Sequence, residues 1–129
     1  MIVLDASAVL ELLLRTAAAE AVARRVDRDP SLHAPSLLDL EVAQAIRRYW
    51  AAGEMLAERG SQAIADLAAL PIRRYPHSPL LERVWELRAG ITAYDAAYVV
   101  LAETLRAPLV TRDRRLARTR GHRVRIEVV

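Results

Sequence analysis

The 129-residue chain contains no cysteine, no lysine and no asparagine. Without cysteine it forms neither a disulfide nor a thiolate zinc site, which fits a reducing cytoplasm. Without lysine it lacks a residue that a phosphorylated receiver domain needs near its last strand. No stretch approaches the roughly 18 uncharged apolar residues of a membrane helix. No basic segment with a long apolar run precedes the first strand-like residues, so we expect no signal peptide and a cytoplasmic protein.

The positive charge is concentrated near the C-terminus. All 19 basic residues are arginines. Residues 1–110 carry 12 arginines and 14 acids, a net charge of −2, whereas residues 111–129 carry 7 arginines and 2 acids, a net charge of +5. Such a segment attracts phosphate groups or forms a solvated face.

Short apolar segments alternate with helical patterns along the whole chain. Apolar residues make up 53% of it, and its length suits one domain, which we assign to residues 1–129. The patterns predict strands at 2–4, 32–34, 72–75, 109–111 and 124–129. They predict helices at 8–14, 16–26, 36–52, 54–70, 78–88, 92–105 and 113–118, and Gly60 could break the fourth of these. Ser7, Ser36 and Thr92 are the expected helix caps. We therefore expect an α/β fold with a central parallel sheet of about five short strands and helices on both faces.

Four acidic residues fall where this fold would bring them together. Asp5 and Asp113 follow predicted strands, and Glu41 and Asp95 lie on predicted helices. Ligand sites of open parallel sheets form beyond the carboxyl ends of the strands. Converging carboxylates repel one another unless a cation neutralises them, and ligand sets made only of oxygen favour Mg²⁺ or Mn²⁺. The pattern indicates metal-assisted phosphoryl chemistry.

Each of these acids also has a structural explanation. Asp5, Asp95 and Asp113 could simply cap helices. Glu41 is the hardest to explain in this way, because no cation lies three or four residues from it and most of these neighbours are apolar. The glutamates at positions 54, 58, 82 and 86 are predicted to lie on solvated faces, and the three histidines show no metal-ligand spacing.

Hydroxyl and guanidinium groups flank the acids. Ser7 and Thr111 lie two residues from Asp5 and Asp113, where they could contact a phosphate oxygen or simply hydrogen-bond at the strand ends. The arginines next to Asp113 could guide a phosphate backbone; they are Arg112, Arg114 and Arg115. We count these five residues as candidate substrate-binding groups.

The four acidic segments together resemble the PIN domain, and in particular a VapC-type toxin. The matching segments are Ile2-Val3-Leu4-Asp5-Ala6-Ser7-Ala8, Leu40-Glu41-Val42 with Ala45-Ile46-Arg47-Arg48, Tyr94-Asp95-Ala96-Ala97-Tyr98 with Leu101-Ala102, and Leu109-Val110-Thr111-Arg112-Asp113-Arg114-Arg115-Leu116. They span almost the whole chain in the family's order. One departure is Gln44, where many relatives carry Asn.

The resemblance implies an Mg²⁺-dependent endoribonuclease, with Mn²⁺ as a substitute. It implies that Asp5 is the central metal ligand, that Glu41 and Asp95 hold metal directly or through water, and that Asp113 is the most peripheral. It also implies an RNA substrate, a homodimer and inhibition by a cognate VapB-type antitoxin.

Two other functions were considered. A haloacid-type phosphatase needs a second aspartate two residues after the first, and Ser7 stands there. A catalytically inactive PIN-like module that binds RNA or a protein is the stronger alternative, although the retention of all four acids argues against it. Leu13, Leu14, Tyr49 and Trp50 are candidate exposed residues of an antitoxin groove, and about half of them are expected to be core.

Overall fold

The computed structural model describes all 129 residues, which form five strands and six α-helices. The strands are β1 (Ile2–Leu4), β2 (Leu32–Pro35), β3 (Ile72–Tyr75), β4 (Leu109–Thr111) and β5 (Ile126–Val128). The helices are α1 (Ala6–Leu14), α2 (Ala19–Val26), α3 (Leu37–Ala51), α4 (Ala57–Ala69), α5 (Leu81–Glu86) and α6 (Ala93–Leu105). Short 3-10 helices cover Ser78–Leu80 and Leu116–Arg118.

All strand pairs are parallel, and the strand order is β3-β2-β1-β4-β5. The central strand β1 is apolar on both sides, and each of its three residues is completely buried. From β1 the chain continues toward β2, whereas from β4 it continues toward β5. The strand order therefore reverses between β1 and β4, and a crevice forms there beyond their carboxyl ends.

Helices cover both faces of the sheet, as the sequence predicted. Connections between parallel strands are right-handed, so the helices between β1 and β3 and those between β3 and β4 cover opposite faces. The packing agrees, because α1 contacts α2, α3 and α4, while α5 contacts α6. Helix α6 also packs against β1, β2 and β4. Its residues from Ala96 to Ala102 are all buried, so this helix lies deep in the core.

Helix caps and helix breaks differ in part from the expectations. Asp5 and Ser7 were both candidate caps of α1, and Asp5 is the cap, because its carboxylate accepts a hydrogen bond from the Ala8 N–H. Ser36 does not cap α3, since its hydroxyl donates to the Tyr75 carbonyl. No break occurs at Gly60, which lies inside α4; a Cβ there would meet Ile46 Cγ2 at 3.3 Å, so glycine permits close packing of α3 and α4.

The C-terminal segment also differs from its prediction. The helix expected at 113–118 is only a 3-10 turn at Leu116–Arg118, and the last strand is shorter than 124–129. The remaining strands match their predicted positions to within one residue. None of the helices has the length and apolar character required to cross a membrane.

Candidate active site

Asp5 lies immediately after β1 and is only 7% exposed. Its Oδ1 accepts hydrogen bonds from the Ser7 hydroxyl at 2.6 Å and from the Ala8 N–H at 3.0 Å, and its Oδ2 accepts one from the Thr111 hydroxyl. Burial raises the pKa of the Asp5 carboxyl, the three hydrogen bonds oppose this shift, and the charge of Asp95 adds to it. Asp5 is therefore a fixed, strongly desolvated carboxylate with no cation beside it.

Ser7 and Thr111 connect the ends of β1 and β4. Each hydroxyl donates to Asp5. Each also accepts a backbone hydrogen bond, Ser7 from the Arg112 N–H at 2.8 Å and Thr111 from the Asp113 N–H at 2.9 Å. The two hydroxyls thus hold the Asp5 carboxylate between neighbouring strands, which agrees with the strand-end hydrogen bonding that the sequence analysis gave as one of their two possible roles. Their contact with substrate stays a prediction.

Glu41 lies in the first half of α3, beside the buried residues Leu38 and Val42. The hydroxyl of Tyr98, on α6, donates a hydrogen bond of 2.6 Å to its Oε1. Partial burial raises the pKa of the Glu41 carboxyl; the Tyr98 hydrogen bond opposes the shift, and the charges of Asp95 and Asp5 add to it. Glu41 therefore faces the other acids of the crevice without a cation.

Asp95 is the third residue of α6. Thr92 caps this helix as predicted, because its hydroxyl accepts a hydrogen bond from the Asp95 N–H at 3.2 Å. Partial burial raises the pKa of the Asp95 carboxyl and the charge of Asp113 adds to it, whereas Thr92 and Arg115 oppose the shift. The cap fixes the position of the Asp95 backbone, and this limits the positions that the Asp95 carboxylate can take near the crevice.

Asp113 differs from the other three acids because it has a cationic partner. Its carboxylate accepts hydrogen bonds from the Arg115 N–H at 2.8 Å and from the Arg115 guanidinium at 3.0 Å. These bonds hold the pKa of Asp113 below its ordinary value. The family resemblance implied that Asp113 is the most peripheral of the four acids. In the structure, the charge of Asp113 raises the pKa of Asp95.

The donor set suits a hard cation, although the side chains do not form a finished ligand cage. No three acidic or histidine side chains converge closely enough in this structure to make a complete metal-ligand set. Yet Asp5, Glu41 and Asp95 act electrostatically on one another, and none of them forms an ion pair. Carboxylate oxygens in this number and without compensating charge match the preference of Mg²⁺ and Mn²⁺.

The three arginines among the candidate substrate-binding residues differ in whether they pair with an acid of the protein. Arg112 pairs with Glu11 of α1 at 3.4 Å, an interaction that the sequence analysis missed. Arg115 pairs with Asp113. Arg114 is exposed and makes no hydrogen bond or ion pair, so it is the one most available to an external phosphate.

Two cavities differ in their relation to the acids. A cavity of about 360 Å³ lies beside Glu41 and is lined by Leu37, Leu40, Glu41, Gln44, Arg48 and Tyr94. A cavity of about 550 Å³ lies at the amino ends of β4 and β5, away from Asp5 and Glu41, and its lining includes Arg106, Arg123 and Arg125. Of the two cavities, only the one beside Glu41 has a candidate metal ligand in its lining.

Comparison with known proteins identifies the family and the fold. The family model described as PIN domain matches residues 2–122. Ribonuclease VapC12 of Mycobacterium tuberculosis is 46% identical over 129 residues, which cover 100% of this chain and 99% of that protein.

Two solved structures share the fold. PAE2754 from Pyrobaculum aerophilum has a TM-score of 0.74 and 25% identity, with 98% of this chain and 83% of that chain covered. VapBC2 from Rickettsia felis, solved bound to a DNA fragment from its promoter, has a TM-score of 0.71 and 14% identity, with coverage of 99% and 98%. The chain belongs to the PIN-domain family, and within it to the VapC ribonucleases.

Proposed function

We propose that this protein is an Mg²⁺-dependent endoribonuclease that acts as the toxin of a toxin–antitoxin pair in the cytoplasm. The observation that carries the proposal is the group of three carboxylates, Asp5, Glu41 and Asp95, which interact at the carboxyl ends of the strands without any ion pair. Such an arrangement is costly in an otherwise well-paired protein unless a cation from solution completes it.

Asp5, Glu41 and Asp95 would hold the metal, with Asp113 at the edge of the site. When bound, Mg²⁺, or Mn²⁺ in its place, acts as a Lewis acid that activates water and stabilises the charge developing on the reacting phosphate. The remaining work falls to the protein's own side chains. Oδ1 of Asp5 already accepts from Ser7 and from the Ala8 N–H, whereas Oδ2 accepts only from Thr111 and has room for a second interaction.

Substrate recognition is proposed to be mainly electrostatic. The segment 111–129 carries a net charge of +5, and it begins at the crevice where Arg112, Arg114 and Arg115 follow β4. Phosphate contacts of this kind orient a backbone without reading its sequence. Ser7 and Thr111 would add hydrogen-bond contacts to a phosphate only if they turned away from Asp5.

Cleavage of RNA by purified variants tests the proposal. Asp5→Asn should reduce cleavage of total cellular RNA by about 100-fold or more, because the change removes a charge at nearly constant volume. Glu82→Gln, on the exposed face of α5, should cleave like the wild type. Wild-type cleavage by folded Asp5→Asn, or cleavage that continues after chelation of divalent metal, would contradict the metal-dependent mechanism. Absence of cleavage by the wild type with Mg²⁺ present would support the inactive binding module instead.

A cognate VapB-type antitoxin is the proposed regulator. Tyr49 and Trp50 are exposed, whereas Leu13 is buried and Leu14 partly buried, so the four candidates of the sequence analysis divide as expected. A groove between α3 and α4 includes Trp50 in its lining, which consists of Ala43, Ile46, Arg47, Trp50, Ala57, Gly60 and Ile64. Co-expression of the neighbouring small gene product should restore growth that the protein alone slows, and Trp50→Glu should weaken that rescue.

A homodimer is the proposed assembly. Four large apolar side chains on α3, α5 and α6 are each more than half exposed and line three adjoining cavities; they are Leu40, Leu81, Trp85 and Tyr94. Exposed apolar groups concentrated in this way favour a protein interface, and two-fold symmetry is the commonest arrangement for identical chains. Light scattering should give about twice the 14.4 kDa chain mass, and Trp85→Glu should give a monomer.

A further inference from the structure

Tyr98 is a buried residue that contacts one of the acids of the crevice, Glu41. It is 2% exposed, and it follows Asp95 by three positions on α6, so both residues project from the same face of that helix. Its hydroxyl donates a 2.6 Å hydrogen bond to Oε1 of Glu41, which lies 57 residues earlier in the chain on α3. The bond thus joins two helices that each contribute one acid.

Glu41 has no other hydrogen-bond partner in the structure. A glutamate has several rotatable bonds, and fixing them costs conformational entropy. The charges of Asp5 and Asp95 repel Glu41, and its neighbours Leu40 and Gln44 are exposed, so open solvent lies next to it. Without a restraint the carboxylate would turn outward. The Tyr98 hydroxyl supplies this restraint at the one oxygen that it contacts.

The phenol is suited to this task because it stays a donor. A tyrosine hydroxyl is protonated at physiological pH, so the Tyr98 hydroxyl donates to Oε1 of Glu41 and carries no charge. A protonated phenol attracts the carboxylate without adding a positive charge. A lysine or arginine in the same place would neutralise Glu41 and compete with a metal ion for it.

Resting on the proposed function, we propose that Tyr98 is a positioning residue that holds Glu41 toward Asp5 so that the metal site is formed in advance. A purely structural role is the alternative, since buried tyrosines usually find a partner for the hydroxyl. Tyr75 provides an example of such a role, because its hydroxyl bonds to His33 Nδ1 at 2.7 Å, away from the acids.

Four variants separate these two roles: Tyr98→Phe, Tyr75→Phe, Glu41→Gln and the double variant Tyr98→Phe/Glu41→Gln. The primary readout is Mg²⁺ affinity by calorimetry, with the melting temperature of the metal-free protein as the measure of stability. Tyr98→Phe should lower Mg²⁺ affinity about 10-fold, the range typical for loss of a group that orients a metal ligand. Cleavage should fall at low Mg²⁺ and recover at saturating Mg²⁺. Tyr75→Phe should leave Mg²⁺ affinity unchanged.

The double variant shows whether Tyr98 acts through Glu41. If it does, adding Tyr98→Phe to Glu41→Gln causes no further loss of Mg²⁺ affinity. A further 10-fold loss in the double variant, or wild-type affinity in Tyr98→Phe, would overturn the positioning role while leaving the carboxylate site intact. Wild-type Mg²⁺ affinity in Glu41→Gln would instead remove Glu41 as a ligand, and the Tyr98 role with it.

An NMR measurement on the wild-type protein tests the proposal without depending on whether the variants fold. With ¹³C at the ring carbon that bears the hydroxyl, the NMR signal of Tyr98 should shift during Mg²⁺ titration with the same midpoint as calorimetric binding. The signal of Tyr75 should stay in place. An unmoved Tyr98 signal at saturating Mg²⁺ would contradict the proposal.

Discussion

The acids of the crevice and the acids elsewhere in the protein have opposite environments. Outside the crevice, Asp29, Glu103 and Glu127 each pair with arginine, and their pKa values lie below the ordinary ones. Inside it, Asp5 and Glu41 have no ion pair and their pKa values lie above the ordinary ones. Ionised carboxylates are therefore stabilised by arginine outside the crevice and destabilised by burial inside it.

This difference does not come from a shortage of cations, because the chain has 19 arginines for 16 acids. No arginine pairs with the central acids of the crevice: Arg115 pairs with Asp113, Arg112 pairs with Glu11, and Arg48 lines the cavity beside Glu41 without an ion pair. The crevice instead provides neutral donors, namely the hydroxyls of Ser7, Thr111 and Tyr98. Neutral donors orient carboxylates but leave their charge for a cation from solution.

The largest expected effect comes from making the same substitution in both regions. Glu41→Gln should reduce RNA cleavage by about 100-fold or more. It should also raise the melting temperature of the metal-free protein by a few degrees, because it removes a repelled charge and keeps an acceptor for Tyr98. Activity assays and calorimetry on the purified variant measure the two effects.

Glu103→Gln is the matched control. It should keep normal cleavage and lose about 1 kcal/mol of stability, because Arg83 loses the charged partner that it contacts through two nitrogens at 3.0 and 3.1 Å. If both variants lost stability and kept activity, the two regions would not differ in the way described.

The pH dependence of stability should differ between the regions in sign. The pKa of Glu103 is lowered in the folded protein, so its contribution is present above the ordinary glutamate value and is lost as pH falls through the lowered one. The pKa of Glu41 is raised, so its ionisation destabilises the fold as pH rises above the ordinary value of about 4.3.

Melting temperatures between pH 3 and pH 7 test these signs. The deficit of Glu103→Gln relative to wild type should be full at neutral pH and shrink in acid. The advantage of metal-free Glu41→Gln should also be present at neutral pH and disappear below about pH 4. A Glu41→Gln advantage that grew in acid would mean that burial does not penalise the ionised Glu41.

The smallest expected effect concerns the arginines at the edge. Arg114 has no partner, so Arg114→Ala should remove one phosphate contact and reduce the slope of log affinity against log salt by about 0.7 for single-stranded RNA. Arg115→Ala also frees the Asp113 carboxylate, so it should weaken RNA binding more strongly at low salt. An unchanged slope in Arg114→Ala, from binding measured at several salt concentrations, would remove this residue from the RNA surface.

The fold was predictable because its signals are local. The segments 2–4, 72–75 and 109–111 are strands at the expected positions, and the order of strands and helices already indicated a parallel sheet. Thr92 was correctly predicted as a cap because it lies three residues before Asp95, and its hydroxyl accepts a hydrogen bond from the Asp95 N–H. The candidate acids could be chosen from the same local evidence, through strand ends and the absence of neighbouring cations.

What could not be predicted depends on contacts between distant segments. Thr111 reaches Asp5 across 106 positions, and Tyr98 reaches Glu41 across 57. No spacing rule connects such pairs, and the choice of Asp5 over Ser7 as the helix cap depends partly on them. Tyr98 belongs to one of the segments that resemble the family, but no role was predicted for it. Its spacing of three residues from Asp95, which places both residues on one helix face, was the only local indication of a role at the site.

The central claim is that the unpaired carboxylates form a binding site for a cation from solution. Binding of Mg²⁺ to the metal-free protein tests this claim most directly. Calorimetric titration of wild type and Asp5→Asn, with melting temperatures at each Mg²⁺ concentration, requires neither RNA nor antitoxin. The account predicts saturable binding and a rising melting temperature in wild type, and loss of most of both in Asp5→Asn. An equal response to Mg²⁺ in the two proteins would contradict it.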